Sequence, residues 1–406
     1  MGLGMLDARR YAERSSGVKS IRWLAVAWVA GSVAVSGALA ETGTAMVSAQ
    51  VPAGTLGASL SNETRAALSR GLDWLAAQQK PDGSWSNPDF PALTGLALWA
   101  LARNGEPGRK PAADKAVKFV LTCVQTNGGI YREVPGRKGG GLSNYNTAIC
   151  MTALHATRDP ALAPVVLRAR AFIAGGQHFG DDNYKGGFGY DRETGRAYTD
   201  LLNTFYAAEA MYQTAGVEDL RGKAEKRVDI NWAETVKFIE RMQNKPESGD
   251  ENSGGFYYNP SDPKAGATTN AQGVVVFRSY GSITYAGMLA LIYANVGKDD
   301  TRVRSAMDWA AKHWTLEENP GMGVDGLYFF YNILSRSLAA SGRDVIARPN
   351  NRLVNWREEL AKKLVALQKV DAKTGQGYWE NTTGRYWEND PVLVTAYCLL
   401  ALESLQ

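Results

Sequence analysis

The sequence predicts an all-α protein, an α/α toroid in which six inner helices stand inside six outer ones. Three observations carry that expectation. A unit made of an amphipathic helix, a Gln, a Gly-aromatic turn and a second helix recurs six times from about residue 60 to the C-terminus. The first helix of each unit keeps charges, among them Lys115, Lys118, Arg168, Lys237 and Glu240, whereas the second is apolar nearly all round. A helix apolar on every side has to be enclosed by others, and an apolar last helix speaks for a closed ring over an open solenoid with a polar cap.

In chain order, GLDWLAAQQKPDGSW (71–85) sets Leu72 and Leu75 on one helix face, makes a turn with Pro81, Asp82 and Gly83, and ends on Trp85 before the apolar ALTGLALWALARNG. The second unit pairs AVKFVLTCVQTNGGIY with NYNTAICMTALHATRD, and the third pairs RARAFIAGGQ and GGFGY (186–190) with AYTDLLNTFYAAEAMYQTAG. In the fourth, TVKFIERMQ and GGFYYN (254–259) lead to SITYAGMLALIYANVG. The fifth is degenerate: SAMDWAAKHW lacks the Gln, its turn is NPGMGVDG, and LYFFYNILSRSLAASG follows. The sixth pairs ELAKKLVALQ and GQGYW with PVLVTAYCLLALESLQ. Glycine permits the reversal, the ring packs between neighbouring pairs as a staple, and Gln pairs with open helix-end groups.

Composition limits what such a scaffold does. With 45% hydrophobic and 21% charged residues among 406, the chain is no disordered polyelectrolyte. Its net charge of +4 is concentrated in the first forty residues, where Arg9, Arg10, Arg14, Lys19 and Arg22 face only Asp7 and Glu13. The remainder holds 40 basic and 39 acidic residues, which excludes a nucleic-acid partner driven by charge. The same forty residues read as an export signal, a basic stretch and then an apolar run from Trp23 to Ala40. Ala38-Leu39-Ala40 fits a cleavage site, Val47-Ser48-Ala49 is a second candidate, and a retained membrane anchor is the alternative. The domain organisation expected is residues 1–49 as signal and linker, and 60–406 as one toroid in a periplasmic or secreted protein with no stable transmembrane span after cleavage. Cys123, Cys150 and Cys398 lie in apolar helical contexts with no CxxC pair, as small buried residues, although an exported protein could bridge two of them.

The Gln and Gly-aromatic turn resembles the QW-type repeats of the prenyltransferase and squalene cyclase (squalene oxidase repeat) superfamily, which includes class II terpene cyclases and protein prenyltransferase β subunits. The resemblance implies a toroid, and as a statement about activity it is not specific. It does not extend to the catalytic motifs of those enzymes. No DxDD acid cluster is present, and the acidic pairs Asp181-Asp182 and Asp299-Asp300 stand in loop contexts. GVDGLYFFY (323–331) is similar to the segment that gives zinc an Asp and a Cys; Asp325 matches, Leu327 takes the cysteine's place, and Val394 stands where a histidine is expected. Two donors are missing, so no metal and no cofactor is expected. SYGSITYAGMLAL (279–291) resembles a diphosphate-binding stretch, with Thr284 and Gly287 kept and Tyr280 in the histidine's place, while Leu202 occupies the position of a phosphate-binding arginine.

Function is then sought at the long outer-to-inner connections, roughly 126–143, 179–197 and 244–279, under which all six inner helices begin. Their converging positive dipole ends favour an anionic or polar head group above an apolar hole. The candidate ligand-binding residues are Tyr145, Tyr198, Tyr280, Thr284, Asp325, Tyr328, Tyr386 and Asp390, with Asn146 and Trp387 beside them. Asp200 and Asp325 are the candidate catalytic acids, and N-capping is the competing role for Asp200 and Asp390. His155, His178 and His313 are scattered over different repeats, and there is no GxSxG elbow. The expectation is a protein that binds an apolar or isoprenoid-like ligand, or a protein partner, at the toroid cavity. A terpenoid- or lipid-modifying enzyme with a non-standard residue set, and a structural cell-envelope protein, are the alternatives.

Overall fold

The protein is seen here in a computed structural model that describes residues 55–134, 141–192, 198–245 and 250–406; the export-type segment and both cleavage candidates lie outside them. Twelve α-helices alternate between two rings among the described residues. The outer ones are α1 (Ala58–Ala77), α3 (Lys110–Thr122), α5 (Ala163–Ala174), α7 (Trp232–Arg241), α9 (Thr301–Lys312) and α11 (Trp356–Leu367). The inner ones are α2 (Pro91–Asn104), α4 (Ser143–Ala156), α6 (Leu201–Gln213), α8 (Gly281–Tyr293), α10 (Leu327–Ser341) and α12 (Pro391–Glu403). Burial follows the polarity of the sequence. On α7 only Thr235, Phe238 and Ile239 are buried, one stripe at helical spacing. Every residue of α8 except Ile292 is buried.

Each inner helix packs on the next, and α12 packs on α2 as well as α10, so the inner ring closes. The last repeat also engages the first outer helix. Gln368 Nε2 donates to the Ala67 carbonyl at 2.8 Å and its Oε1 accepts from Arg70 at 2.9 Å, while Tyr378 stacks on Trp74 with ring centres 5.0 Å apart. A Cβ at Gly71 would stand 2.8 Å from both Leu399 and the Trp379 ring, so this seam needs glycine there.

The turn residues divide the stapling differently from the sequence expectation. The buried rings tie together the two helices of their own pair. Trp85 donates its indole N–H to the Leu75 carbonyl and its backbone N–H to Thr94 Oγ1, and Trp379 does the same to Leu364 and Thr395. Phe188 and Phe256 hold Thr204 and Thr284 in the same way, and Ile130 takes that place in the second repeat with Thr147. It is the Gln and Gly residues that reach the next pair. Gln177 donates to Gly186 of its own turn and to the Asn231 carbonyl and Thr235 Oγ1 at the start of the next outer helix. Gln243 repeats this with Gly254, Arg302 and Ser305. In the fifth repeat, which lacks the Gln, the Trp314 indole reaches Glu359 on the next outer helix at 2.9 Å.

Strands among the described residues are confined to three short antiparallel hairpins; β1 (Ala267–Thr269) and β2 (Val275–Phe277), the longest, pair Ala267 with Phe277 in the fourth outer-to-inner connection. All three cysteines are free and buried, so none is bridged. Among the described residues no helix is long and apolar enough to cross a membrane.

Candidate ligand cavity at the inner-helix N-termini

The N-terminal halves of all six inner helices line one cavity of about 440 Å³. They supply Ala92 and Leu93 from α2, Tyr145 from α4, Leu202 and Tyr206 from α6, Ser282 and Ile283 from α8, Phe329 from α10, and Leu393 and Tyr397 from α12. The connections add Phe90, Leu142, Tyr190, Tyr198, Tyr258, Lys264, Tyr280, Asn319, Gly326, Tyr386, Trp387 and Glu388. Half of the 22 lining residues are aromatic, eight of them tyrosines, which makes the wall apolar in its ring faces and hydrogen-bonding at its hydroxyls. In its wall Tyr145, Tyr206 and Tyr397 bring their hydroxyls together, with Tyr145 and Tyr206 ring centres 5.2 Å apart. The Tyr206 Oη is buried there without a hydrogen bond of good geometry.

The mouth is partly covered by Tyr386 and Trp387, which are 44% and 45% exposed. Both hold left-handed backbone, with φ of 58° and 66°, a conformation that bulky residues adopt only under constraint. The constraint comes from Glu388. Its buried carboxylate accepts from the Phe329 N–H at 2.8 Å, the Tyr328 N–H at 3.3 Å and the Asn381 amide at 2.7 Å. Burial raises its pKa. Trp387 then meets Phe90 edge-on, with ring centres 4.9 Å apart, and Arg385 pairs with Asp325 at 2.9 Å.

The helix ends are not open to a ligand as the sequence suggested. Their first-turn N–H groups are taken up in a relay, mostly by the following repeat. Asn146 on α4 accepts from Ala92 of α2, Asp191 from Ser143 of α4, the Tyr258 carbonyl from Leu201 of α6, Asn319 from Ser282 of α8, and Glu388 from α10. Asp200 and Asp390 cap α6 and α12 from their own chain starts, accepting from Asn203 at 2.8 Å and Val392 at 2.9 Å. Protein carboxylates and amides thus stand where an anionic head group would have to bind.

Of the candidates read from the sequence, Tyr145, Tyr198, Tyr280 and Tyr386 line the cavity, as does Trp387. Thr284 does not; its hydroxyl is spent on the Phe256 N–H. Tyr328 points into the core, edge-on to Tyr331 at 5.6 Å, and Asp325 is held by Arg385 at the rim. Asp390 is a cap. Asp200 is fully buried behind the wall, where it accepts from the Asn203 N–H and amide and from the Tyr258 hydroxyl. Burial pushes its carboxyl up to about 6 against those hydrogen bonds. Sequence reasoning passed over Tyr190 and Tyr258. A signal for them exists: in GGFGY and GGFYY a second aromatic ring follows the staple ring two residues later in both repeats.

No protein-family model matches the chain, and no curated protein matches it in sequence. Solved structures do resemble it in shape. A variant of the type II terpene cyclase MstE from Scytonema, in complex with its product merosterolic acid A, is 11% identical with a TM-score of 0.52 over 86% of this chain and 99% of that one. Cellobiose 2-epimerase from Spirochaeta thermophila is 14% identical with a TM-score of 0.53 over 86% and 96%. The GH76A α-1,6-mannanase of Salegentibacter is 12% identical with a TM-score of 0.50 over 86% and 100%. At such identities the likeness establishes the α/α toroid and nothing finer, and the three differ in their chemistry.

Proposed function

We propose that the protein binds an elongated, largely apolar small molecule of isoprenoid type in the tyrosine-lined cavity. The observation that carries this reading is the wall itself: eleven aromatic rings gathered from six repeats around about 440 Å³, under a mouth segment held in left-handed backbone. A purely structural toroid has no need of a strained aromatic pair over a hole. Support in shape comes from the terpene cyclase MstE, captured with geranylgeranyl dihydroxybenzoate at a TM-score of 0.51. Binding is preferred to catalysis because the one carboxylate on the wall, Glu388, has both oxygens engaged by backbone N–H groups and Asn381, and Asp200 is sealed behind tyrosines. With the N-terminal segment acting as an export signal, the ligand would be met outside the cytoplasm; N-terminal sequencing of protein from its own host checks that.

The test is titration with geranylgeraniol, read by tryptophan fluorescence. Binding near micromolar, or roughly 8 kcal/mol, is expected. Trp387→Ala, at an exposed site, should weaken it by about 1–3 kcal/mol without lowering the melting temperature. No saturable binding, or binding indifferent to Trp387→Ala, overturns the reading.

A further inference from the structure

We infer that the ligand enters head-first and carries a hydroxyl at its leading end, received by Asn332 in a polar layer beneath the tyrosine-lined cavity. The inference rests on the apolar-ligand reading above and adds the polar group and its orientation. On α10, Phe329, Asn332 and Arg336 recur at helical spacing and so share one face. Phe329 lines the cavity, its ring centre 6.4 Å from that of Tyr206 on α6 and 5.6 Å from that of Tyr397 on α12. Two turns further along, Arg336 is ion-paired to Glu209, which follows Tyr206 by one turn on α6, and its guanidinium lies 4.7 Å from the centre of the Trp99 ring on α2. Inner helices α6 and α10 are separated in the ring by α8, so both contacts cross its interior. Asn332 lies on that same face, between the apolar cavity and the buried ion pair.

Asn332 is fully buried, yet neither its Oδ1 nor its Nδ2 has a hydrogen-bond partner among the described residues. An amide left open at both ends inside a core is costly, and such a group is met by water or by a ligand. The rest of the layer is balanced: Glu209 answers the charge of Arg336 and also accepts the Tyr293 hydroxyl at 3.0 Å. A charged head would bring an unmatched charge into this layer. A hydroxyl, which donates once and accepts twice, matches an amide that offers both a donor and an acceptor. The step from wall to amide is one helical turn, about 5 Å along α10. Phe329, the ring above Asn332, is only partly buried and has room to swing aside. With the hydroxyl on Asn332, the apolar chain fills the ring-lined cavity and its tail ends under Tyr386 and Trp387.

The experiment titrates the full chain with farnesol, farnesyl methyl ether and farnesene, read by tryptophan fluorescence. The alcohol donates and accepts, the ether only accepts, and the hydrocarbon does neither. Affinity should fall in that order, with roughly tenfold between alcohol and hydrocarbon. Asn332→Leu, close to isosteric and relieved of the open amide, should bring farnesol to within about twofold of farnesene without lowering the melting temperature. Asn332→Ala, made beside it, should lose the preference as well. Equal binding of the three by the native chain, which means that water satisfies Asn332, overturns the hydroxyl subsite and leaves the apolar-ligand reading standing. A preference for farnesol that survives in a folded Asn332 variant does the same, because it places the head elsewhere on the wall. Binding of none of the three overturns both.

Discussion

Gly186 and Gly254 hold φ of 88° and 86° in turns where a Cβ would stand 2.1 Å from the Glu234 carbonyl oxygen and 2.3 Å from that of Ser305. Both the left-handed backbone and the contact with the next outer helix demand glycine. Gly186→Ala should therefore cost about 2 kcal/mol of stability or more, read by chemical denaturation; a loss below roughly 0.5 kcal/mol would mean the turn is free to move. Thr284 makes the opposite kind of test. Thr284→Val leaves the buried Phe256 N–H without its acceptor and should cost about 1–2 kcal/mol in folding, with ligand affinity unchanged. A selective loss of affinity would return Thr284 to the ligand. A threonine does recur at this place, as Thr94, Thr147, Thr204, Thr284 and Thr395, so the staple was legible in the sequence. A hydroxyl suits a ligand as well as a backbone N–H, and only contact separates the two roles.

Among the elements, the segment running from Arg385 to Glu388 into α12 combines strain with exposure. Tyr386 and Trp387 sit in left-handed backbone at the mouth, while Glu388 between them and α12 is buried on the N-terminus of α10. A helix of the ring thus positions the cover of the cavity. Trp387→Gly removes a backbone cost of about 1 kcal/mol and should leave the melting temperature unchanged or raised by a few degrees, while the affinity for the apolar ligand falls at least about tenfold. A melting temperature several degrees lower would show that the ring serves the fold, through Phe90, more than the ligand. The inner helices themselves were the most legible elements, because α8 and α12 carry no charged residue before the last turn and have to be enclosed.

For the whole molecule, ring closure buries a carboxylate at the C-terminal ends of the inner helices against an arginine that stays exposed. Glu403 on α12 is paired with Arg103 on α2 at 2.8 Å, yet burial pushes its carboxyl up to about 8 against that partner. Asp200 is pushed up to about 6 in the same way. An acid whose pKa is raised by folding binds more protons in the folded state, so between the ordinary carboxylate range and about pH 8 stability should fall as pH rises. Glu218 runs the other way. Although buried, it is held near 2 by Arg221, the Val228 N–H and Arg170, and its contribution is present above the usual value of 4.5 and lost as pH falls toward 2. Stability should accordingly peak in mildly acidic solution. Glu403→Gln should flatten the decline toward pH 8 and stabilise the protein there by on the order of 4 kcal/mol, measured by denaturation across pH. A wild-type stability that is level from about pH 5 to about pH 8 would show that Arg103 compensates the buried carboxylate in full.

The number of helix pairs, which helix of each pair is enclosed, and the place of the Gly and Gln turns were determined by the sequence alone, since hydrophobic periodicity and backbone permissiveness are local properties. Which rings face the cavity was not. Tyr145 and Tyr328 both open inner helices, yet one lines the cavity and the other packs on Tyr331, because the rotation of each helix about its axis is settled by its two neighbours in the ring. How the inner-helix ends are satisfied was likewise decided in three dimensions. Converging helix dipoles read as positive along the chain, and the caps that answer them, Asp191 for α4 and Glu388 for α10, come from the next repeat and reach those helix ends only once the toroid has closed.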